Sequence, residues 1–135
     1  RKEDADKYKR HTDFNKKGIR IAVMVGQYEE DLARRLWPQA TVVAPKVLDS
    51  IELAELVRTG RADVWVGNET VVSWTAQHNP WSHVVDEERP FAANPNSYCV
   101  RYGDPDWLHF LDIFVDTIRS NGEVDRIRLE YANVK

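Results

Sequence analysis

Two turns carry the polar residues best placed for chemistry, Gly26-Gln27-Tyr28 and Asn68-Glu69. Each follows a short apolar run and opens a segment with helical spacing. The first N–H groups of a helix lack intrahelical acceptors, so such a turn presents backbone donors to an anionic group. A glycine at position 26 would also let a ligand come close to the backbone. Asn68 and Glu69 place polar side chains at the second strand tip, where they could orient the rest of a ligand. Each residue also has a simpler role. Gly26 suits a tight turn, Asn68 a helix N-cap, and Glu69 the positive end of the helix dipole.

Several other chemistries are excluded by what is missing. The chain has no P-loop, no GxGxxG and no GxSxG, the motifs that hold phosphates or expose a nucleophilic serine. His11, His78, His83 and His109 are scattered without an HxxxH pair, so no metal site and no cofactor is expected. Cys99 falls within an expected strand and reads as buried filler. As a lone cysteine it also rules out an internal disulfide. A net charge of −3, from 19 basic and 22 acidic residues, argues against a nucleic-acid partner. No apolar stretch approaches the ~20 residues of a spanning helix.

The elements that must position these turns alternate along the chain. Apolar runs at Ile19–Val25, Ala40–Val43 and Ala62–Val66 predict strands, and two more are expected at Ser82–Val85 and Ser97–Tyr102. Between them, Tyr28, Leu32 and Leu36 recur at one-turn spacing, with Glu29, Glu30 and Asp31 at the front and Arg34 and Arg35 at the back. Asp49 to Glu52 resembles a capping box and Gly60 a C-cap. A third helix is expected after Asn68, ending near Pro80. Asp104 followed by Pro105 predicts the N-terminus of a long helix, with Trp107, Leu108, Leu111, Phe114, Val115 and Ile118 on one face. Gly122 ends it, and a shorter helix spans Glu123 to Ala132. This order predicts an α/β fold with a parallel or mixed sheet. The 135 residues suffice for one domain with a real core. Among five tryptophans, Trp37 and Trp107 are expected in the core. Trp74 and Trp81 flank the third helix, and Trp65 could face either way. Arg1 to Thr12 is almost wholly charged and is expected to be solvated.

Read in order, these segments resemble the second lobe of the periplasmic solute-binding proteins that serve polar amino-acid ABC importers. Arg1-Lys2-Glu3-Asp4 is similar to the end of that family's first hinge strand. Lys17 to Val23 is similar to the opening of its second lobe, and Gly26 to the glycine that begins its ligand-facing helix. The run from Glu52 to Val64, with Thr59-Gly60-Arg61-Ala62-Asp63-Val64 at its end, is the most specific match. Ser97 to Asp104 is similar to the returning hinge strand. Two positions depart from the family pattern: Gln27 stands where threonine is usual, and Asn68 where an aspartate pairs with the ligand's ammonium. Losing that carboxylate removes a charge-assisted bond typically worth about 1.5–3 kcal/mol.

The resemblance implies a three-layer α/β sandwich of the periplasmic-binding-protein type II, around a mixed, mostly parallel five-stranded sheet. It implies a hinge-strand end and charged lead-in at 1–12, a lobe at 13–102 and C-terminal helices at 103–135. The function implied is extracytoplasmic, periplasmic capture of a small polar or anionic, amino-acid-like solute for an ABC importer. Gly26, Gln27, Tyr28, Asn68 and Glu69 would form the binding site. The partners would be a first lobe, which would precede Arg1, and the transporter's membrane subunits. Hinge strands and helices left without that lobe could also self-associate. Cyclohexadienyl (arogenate/prephenate) dehydratases share this scaffold, and Val100 to Trp107 leans towards them. In that alternative Glu69 would be the general acid of a carbon–oxygen lyase. The ligand-sensing lobe of a receptor is a third reading.

Overall fold

In the computed structural model, which describes residues 1–47, 49–89, 91–92 and 97–132, the apolar run after Gly18 becomes strand β1 (Arg20–Ala22). The chain continues through α1 (Tyr28–Leu36), β2 (Thr41–Val43), α2 (Ser50–Arg58), β3 (Val64–Trp65) and α3 (Glu69–His78). The strands form a parallel sheet in the order β2-β1-β3, with Ile21 opposite Val42 on one side and Val64 on the other.

Successive side chains of a strand point to opposite faces, so the central strand feeds two apolar layers. Ile21 and Val23 join Val64, Val66, Ala33 and Trp37 in one buried cluster, which Tyr8 and Phe14 complete. Ala22 joins Leu53, Leu56, Val57 and Ala62 in the other. Helices α1 and α2 therefore cover opposite faces, which is the expected three-layer α/β arrangement.

The helix ends follow local chemistry. The Asp49 carboxylate accepts from the N–H groups of Ile51 and Glu52 at 2.8 and 3.2 Å. At the other end of α2, Gly60 has φ +70°. Its N–H donates to Val57 O at 3.1 Å and that of Arg61 to Leu56 O at 2.8 Å. This Schellman ending needs a left-handed residue, which glycine adopts without strain.

The expected strands at Ser82–Val85 and Ser97–Tyr102 do not form; three strands are present among the described residues. Ser82 instead turns back, its N–H donating to Asn79 O at 2.9 Å, while Val85 packs on the first cluster. Tyr98 and Tyr102 are fully exposed. Strand propensity is only fitness for a paired, half-buried surface, and no strand lies beside them among the described residues. Cys99 is correspondingly an exposed free thiol rather than buried filler.

The charged lead-in departs from expectation too. Lys2–Asp4 and His11–Phe14 are short 3-10 helices, and Tyr8 is buried against Phe14 at a ring distance of 5.7 Å. The segment is anchored to the loop after α3, with Lys2 N–H donating to Trp81 O and His11 N–H to Asp86, both at 2.8 Å. Most of its charged residues stay at the surface, Arg1 and Asp4 pair half-buried at 2.6 Å, and one aromatic, Tyr8, enters the core.

By contact, Arg1–Ala93 and Asn94–Lys135 are two separate compact units. The second contains α4 (Pro105–Ser120) and α5 (Glu123–Ala132), which pack together. Asp104 caps α4 by accepting from Trp107 N–H at 3.0 Å. No α4 residue is buried and Trp107 is 48% exposed, contrary to its expected place in a core. A pair of helices cannot enclose an apolar stripe without a further layer. No described helix is long and apolar enough to cross a membrane.

Candidate functional site

Strand order creates the site. From β1 the chain passes through α1 to β2 on one side, then through α2 to β3 on the other side of β1. The two connections diverge at the carboxyl ends of β1 and β3, the switch point where open α/β sheets leave a crevice. A cleft of about 140 Å³ lies there, lined by Met24, Gln27 and Glu29 after β1 and by Trp65, Val66, Gly67 and Asn68 at the end of β3. Ser50, Leu53 and Val71 complete it.

The fold thus brings Gln27 and Asn68, more than forty residues apart in sequence, to one cleft. Gly26, Tyr28 and Glu69 are exposed residues outside that lining. Asn68 has φ −60° and ψ 139° and caps α3, its Oδ1 accepting from Thr70 N–H at 2.9 Å. Its amide nitrogen stays outside that bond, so capping and ligand contact are compatible.

Gly26 has a definite backbone role. Its φ of +74° lies in the left-handed region, while open space surrounds the place of a side chain. Conformation, rather than close approach of another group, is what requires glycine here. Its N–H donates to Glu30 Oε2 at 2.8 Å, and Glu30 Oε1 receives Arg34 Nη2 at 2.7 Å. The Gly26 N–H and then Arg34 hold the Glu30 carboxyl below its ordinary pKa. A carboxylate of the protein itself therefore occupies the donor that would otherwise meet an external anion. The substitution Gly26→Ala is expected to destabilise the unit by about 1–2 kcal/mol through left-handed strain, read from the urea midpoint.

Gly67 answers to a different constraint. A Cβ there would stand 3.0 Å from Cζ2 of Trp65 and 3.2 Å from Cε2 and Nε1. The absent side chain lets the indole lie against the backbone as part of the cleft wall. Trp65 Nε1 is buried without a hydrogen-bond partner among the described residues. Trp74, by contrast, is 44% exposed and stacked on His78 at 4.2 Å, and Trp81 packs beside the Leu53 cluster. Gly67 belongs to the second strand-to-helix turn, Val66 to Glu69, that the sequence pointed to, whereas sequence spacing did not single out Glu29, Ser50 or Trp65 for the site. The usable signal was the strand-tip position of Trp65 and Gly67, but it needed the strand order. Among the described residues, no three His, Cys, Asp or Glu side chains converge to hold a metal.

β3 is held in register on β1 by Asp63. Its N–H donates to Arg20 O at 2.9 Å, and its Oδ2 accepts Arg20 N–H at 2.8 Å. The Arg20 guanidinium adds bonds at 3.1 and 3.0 Å to the two carboxylate oxygens.

No protein-family model matches the chain, and no curated protein does. Solved structures do match. An ancestral amino-acid-binding protein, described as a precursor of cyclohexadienyl dehydratase, superposes with a TM-score of 0.79 at 27% identity over 98% of this chain and 55% of that one. A structure described as an ancestral cationic amino-acid solute-binding protein gives 0.73 and 28% over the same shares. The putative binding component of an ABC transporter from Wolinella succinogenes, complexed with lysine, shares the fold with a TM-score of 0.72 at 24% identity, over 86% of this chain and 49% of that one. The chain spans about half the length of these structures. Along nearly its whole length it is similar to one part of the amino-acid solute-binding proteins, and it has the α/β lobe architecture of that family.

Proposed function

We propose that this chain is one lobe of an extracytoplasmic solute-binding protein that captures a small, polar, amino-acid-like solute for an ABC importer. The observation that carries the reading is the convergence of Gln27 and Asn68 on the switch-point cleft. Two amides bring both donors and acceptors, as a zwitterionic head group requires. Trp65, Leu53 and Met24 supply apolar wall for its stem. The solute is held between this lobe and a second one that closes on it by a hinge motion. The membrane subunits of the importer are the further partners, and the periplasm is the compartment.

A lyase related to the cyclohexadienyl dehydratases is less well supported. Glu69, the acid named for it, is exposed and outside the cleft lining, away from where a leaving hydroxyl would sit.

A lobe that supplies half the contacts binds weakly, with a Kd of about 1 mM, or about −4 kcal/mol. Titration with lysine, arginine, glutamine, glutamate and norleucine, followed by NMR, is expected to shift the Gln27 and Asn68 amide signals. Gln27→Ala should weaken the effect several-fold. If none of the five moves those signals, the solute-binding reading is wrong. Micromolar affinity from this chain alone would contradict the half-site view.

A further inference from the structure

Of the seven asparagines, only Asn121 stands before a glycine, in the turn between α4 and α5. Its side chain folds back on that turn, Oδ1 accepting the N–H of Glu123 at 3.0 Å. Bonds hold the turn on either side, from Asn121 N–H to Thr117 O and from Arg126 N–H to Gly122 O, both at 3.0 Å. The peptide group between Asn121 and Gly122 is different. Neither its carbonyl nor its N–H has a hydrogen-bond partner among the described residues. Asn121 is exposed. Gly122 has φ +79°, and nothing beyond its chain neighbours lies within 4 Å of where a Cβ would stand. This peptide can therefore turn as a unit, ψ of Asn121 moving away from 0° against a permissive glycine φ, without breaking a bond.

We infer that Asn121 is a site of spontaneous deamidation, through which the α4–α5 turn acquires an isoaspartate and a further negative charge. The Gly122 nitrogen gives its proton to a base of the solvent and bonds to Cγ of Asn121. Negative charge then gathers on Oδ1, where the Glu123 N–H already points, as an oxyanion donor must. The Cγ–Nδ2 bond breaks, and Nδ2 takes a proton from water and leaves as ammonia. The cyclic imide left behind adds water at either carbonyl, giving aspartate or isoaspartate. Isoaspartate routes the main chain through the side-chain carbon and lengthens it by one methylene. The change falls on the connection between α4 and α5, which pack together.

Other asparagines lack one of these features. Asn68 has the same kind of cap, but its carbonyl accepts Val72 N–H at 2.9 Å, and Glu69 brings a side chain to the attacking nitrogen. After Asn15, the N–H of Lys16 is held by Phe14 O at 2.8 Å. Asn79 precedes Pro80, which has no N–H to lose.

The test is incubation of the folded chain in mildly alkaline buffer, followed by peptide mapping in a mass spectrometer. Asn121 is expected to gain the mass of exchanging NH2 for OH ahead of Asn15 and Asn68, at a rate that rises with hydroxide concentration. Electron-transfer fragmentation should find isoaspartate in that peptide. Gly122→Ala should slow the reaction sharply by crowding the attacking nitrogen. Asn121→Gln keeps both the amide and the glycine but needs a larger ring, and should abolish the mass shift at that position. A rate at Asn121 no higher than at Asn15 or Asn68 overturns the inference. So does an undiminished rate in Gly122→Ala, a product holding aspartate alone, or a reaction that appears only after urea has unfolded the chain.

Discussion

Replacing Trp37 by alanine is expected to cost about 3–5 kcal/mol, the range for removing a buried tryptophan side chain. Trp37 is 1% exposed at the end of α1. Its ring meets Phe14 at 5.5 Å and Phe91 at 5.3 Å, both edge-on, the geometry in which aromatic quadrupoles attract. Those partners come from the lead-in and from the segment after α3, so the indole ties three separated stretches to the face of β1. The rigid neighbours cannot collapse into the space it leaves, and a cavity term adds to the lost burial. Against a total stability of roughly 5–15 kcal/mol for a domain, such a loss brings the first unit near unfolding. Urea denaturation followed by circular dichroism measures it. Trp74→Ala is the contrasting variant: with that ring exposed beside His78, its cost should stay below about 1 kcal/mol. Comparable losses from both variants would refute the assignment of Trp37 to the core.

The second large effect is expected at Asp63. Its side chain is 16% exposed, against 40% for Arg20, and it carries both the guanidinium pair and a rung of the β1–β3 ladder. Asp63→Ala should lower stability by about 1.5–3 kcal/mol, the range for bonds to a charged group. The N–H of Arg20 then loses its acceptor. Because β3 runs directly into Val66, Gly67 and Asn68 of the cleft lining, the same variant should loosen the cleft. The pH dependence has a definite sign. Burial pushes the Asp63 carboxyl up, but the side chain and backbone N–H of Arg20 outweigh it and hold it below its ordinary pKa. A carboxylate lowered on folding contributes its stability above the unfolded value of about 3.9, and loses it as pH falls through the folded value. The stability gap between parent and variant should hold from pH 5 to 8 (about 1 unit clear of that value) and shrink below it. Asp4 acts in the same direction, its burial opposed by Arg1, and remains in both proteins. A gap that widened in acid would exclude the pair as the cause. Urea titrations at pH 7, 4 and 3 (on either side of the unfolded pKa) decide it.

Several features could be read from neighbouring residues because their causes lie within a few positions of chain. Asp49, Asn68 and Asp104 cap helices whose N–H groups are two or three residues away. Gly60 ends α2 because a left-handed residue is required directly after the last turn. The first three strands and all five helices follow from such local patterns together with apolar periodicity. Thr59-Gly60-Arg61-Ala62-Asp63 carried the family resemblance, and its residues turn out to end α2 and lock β3 to β1.

What failed involved partners far away or absent. Ser97–Tyr102 has the composition of a strand, yet a strand exists only by pairing, and no partner lies beside it among the described residues. Trp37 and Trp107 both sit on apolar helix faces, but a sheet covers the first, while among the described residues of its unit the second stacks on Phe110 and stays half-exposed. Gly26 was open to two readings, and the tight-turn role is what its φ of +74° requires. By itself, then, the sequence determined the order of elements, their caps and the family they resemble, since these are set by short-range hydrogen bonding and periodicity. Only the tertiary structure decided that β1 lies between β2 and β3. That order opens the cleft where it does and brings Gln27 to Asn68.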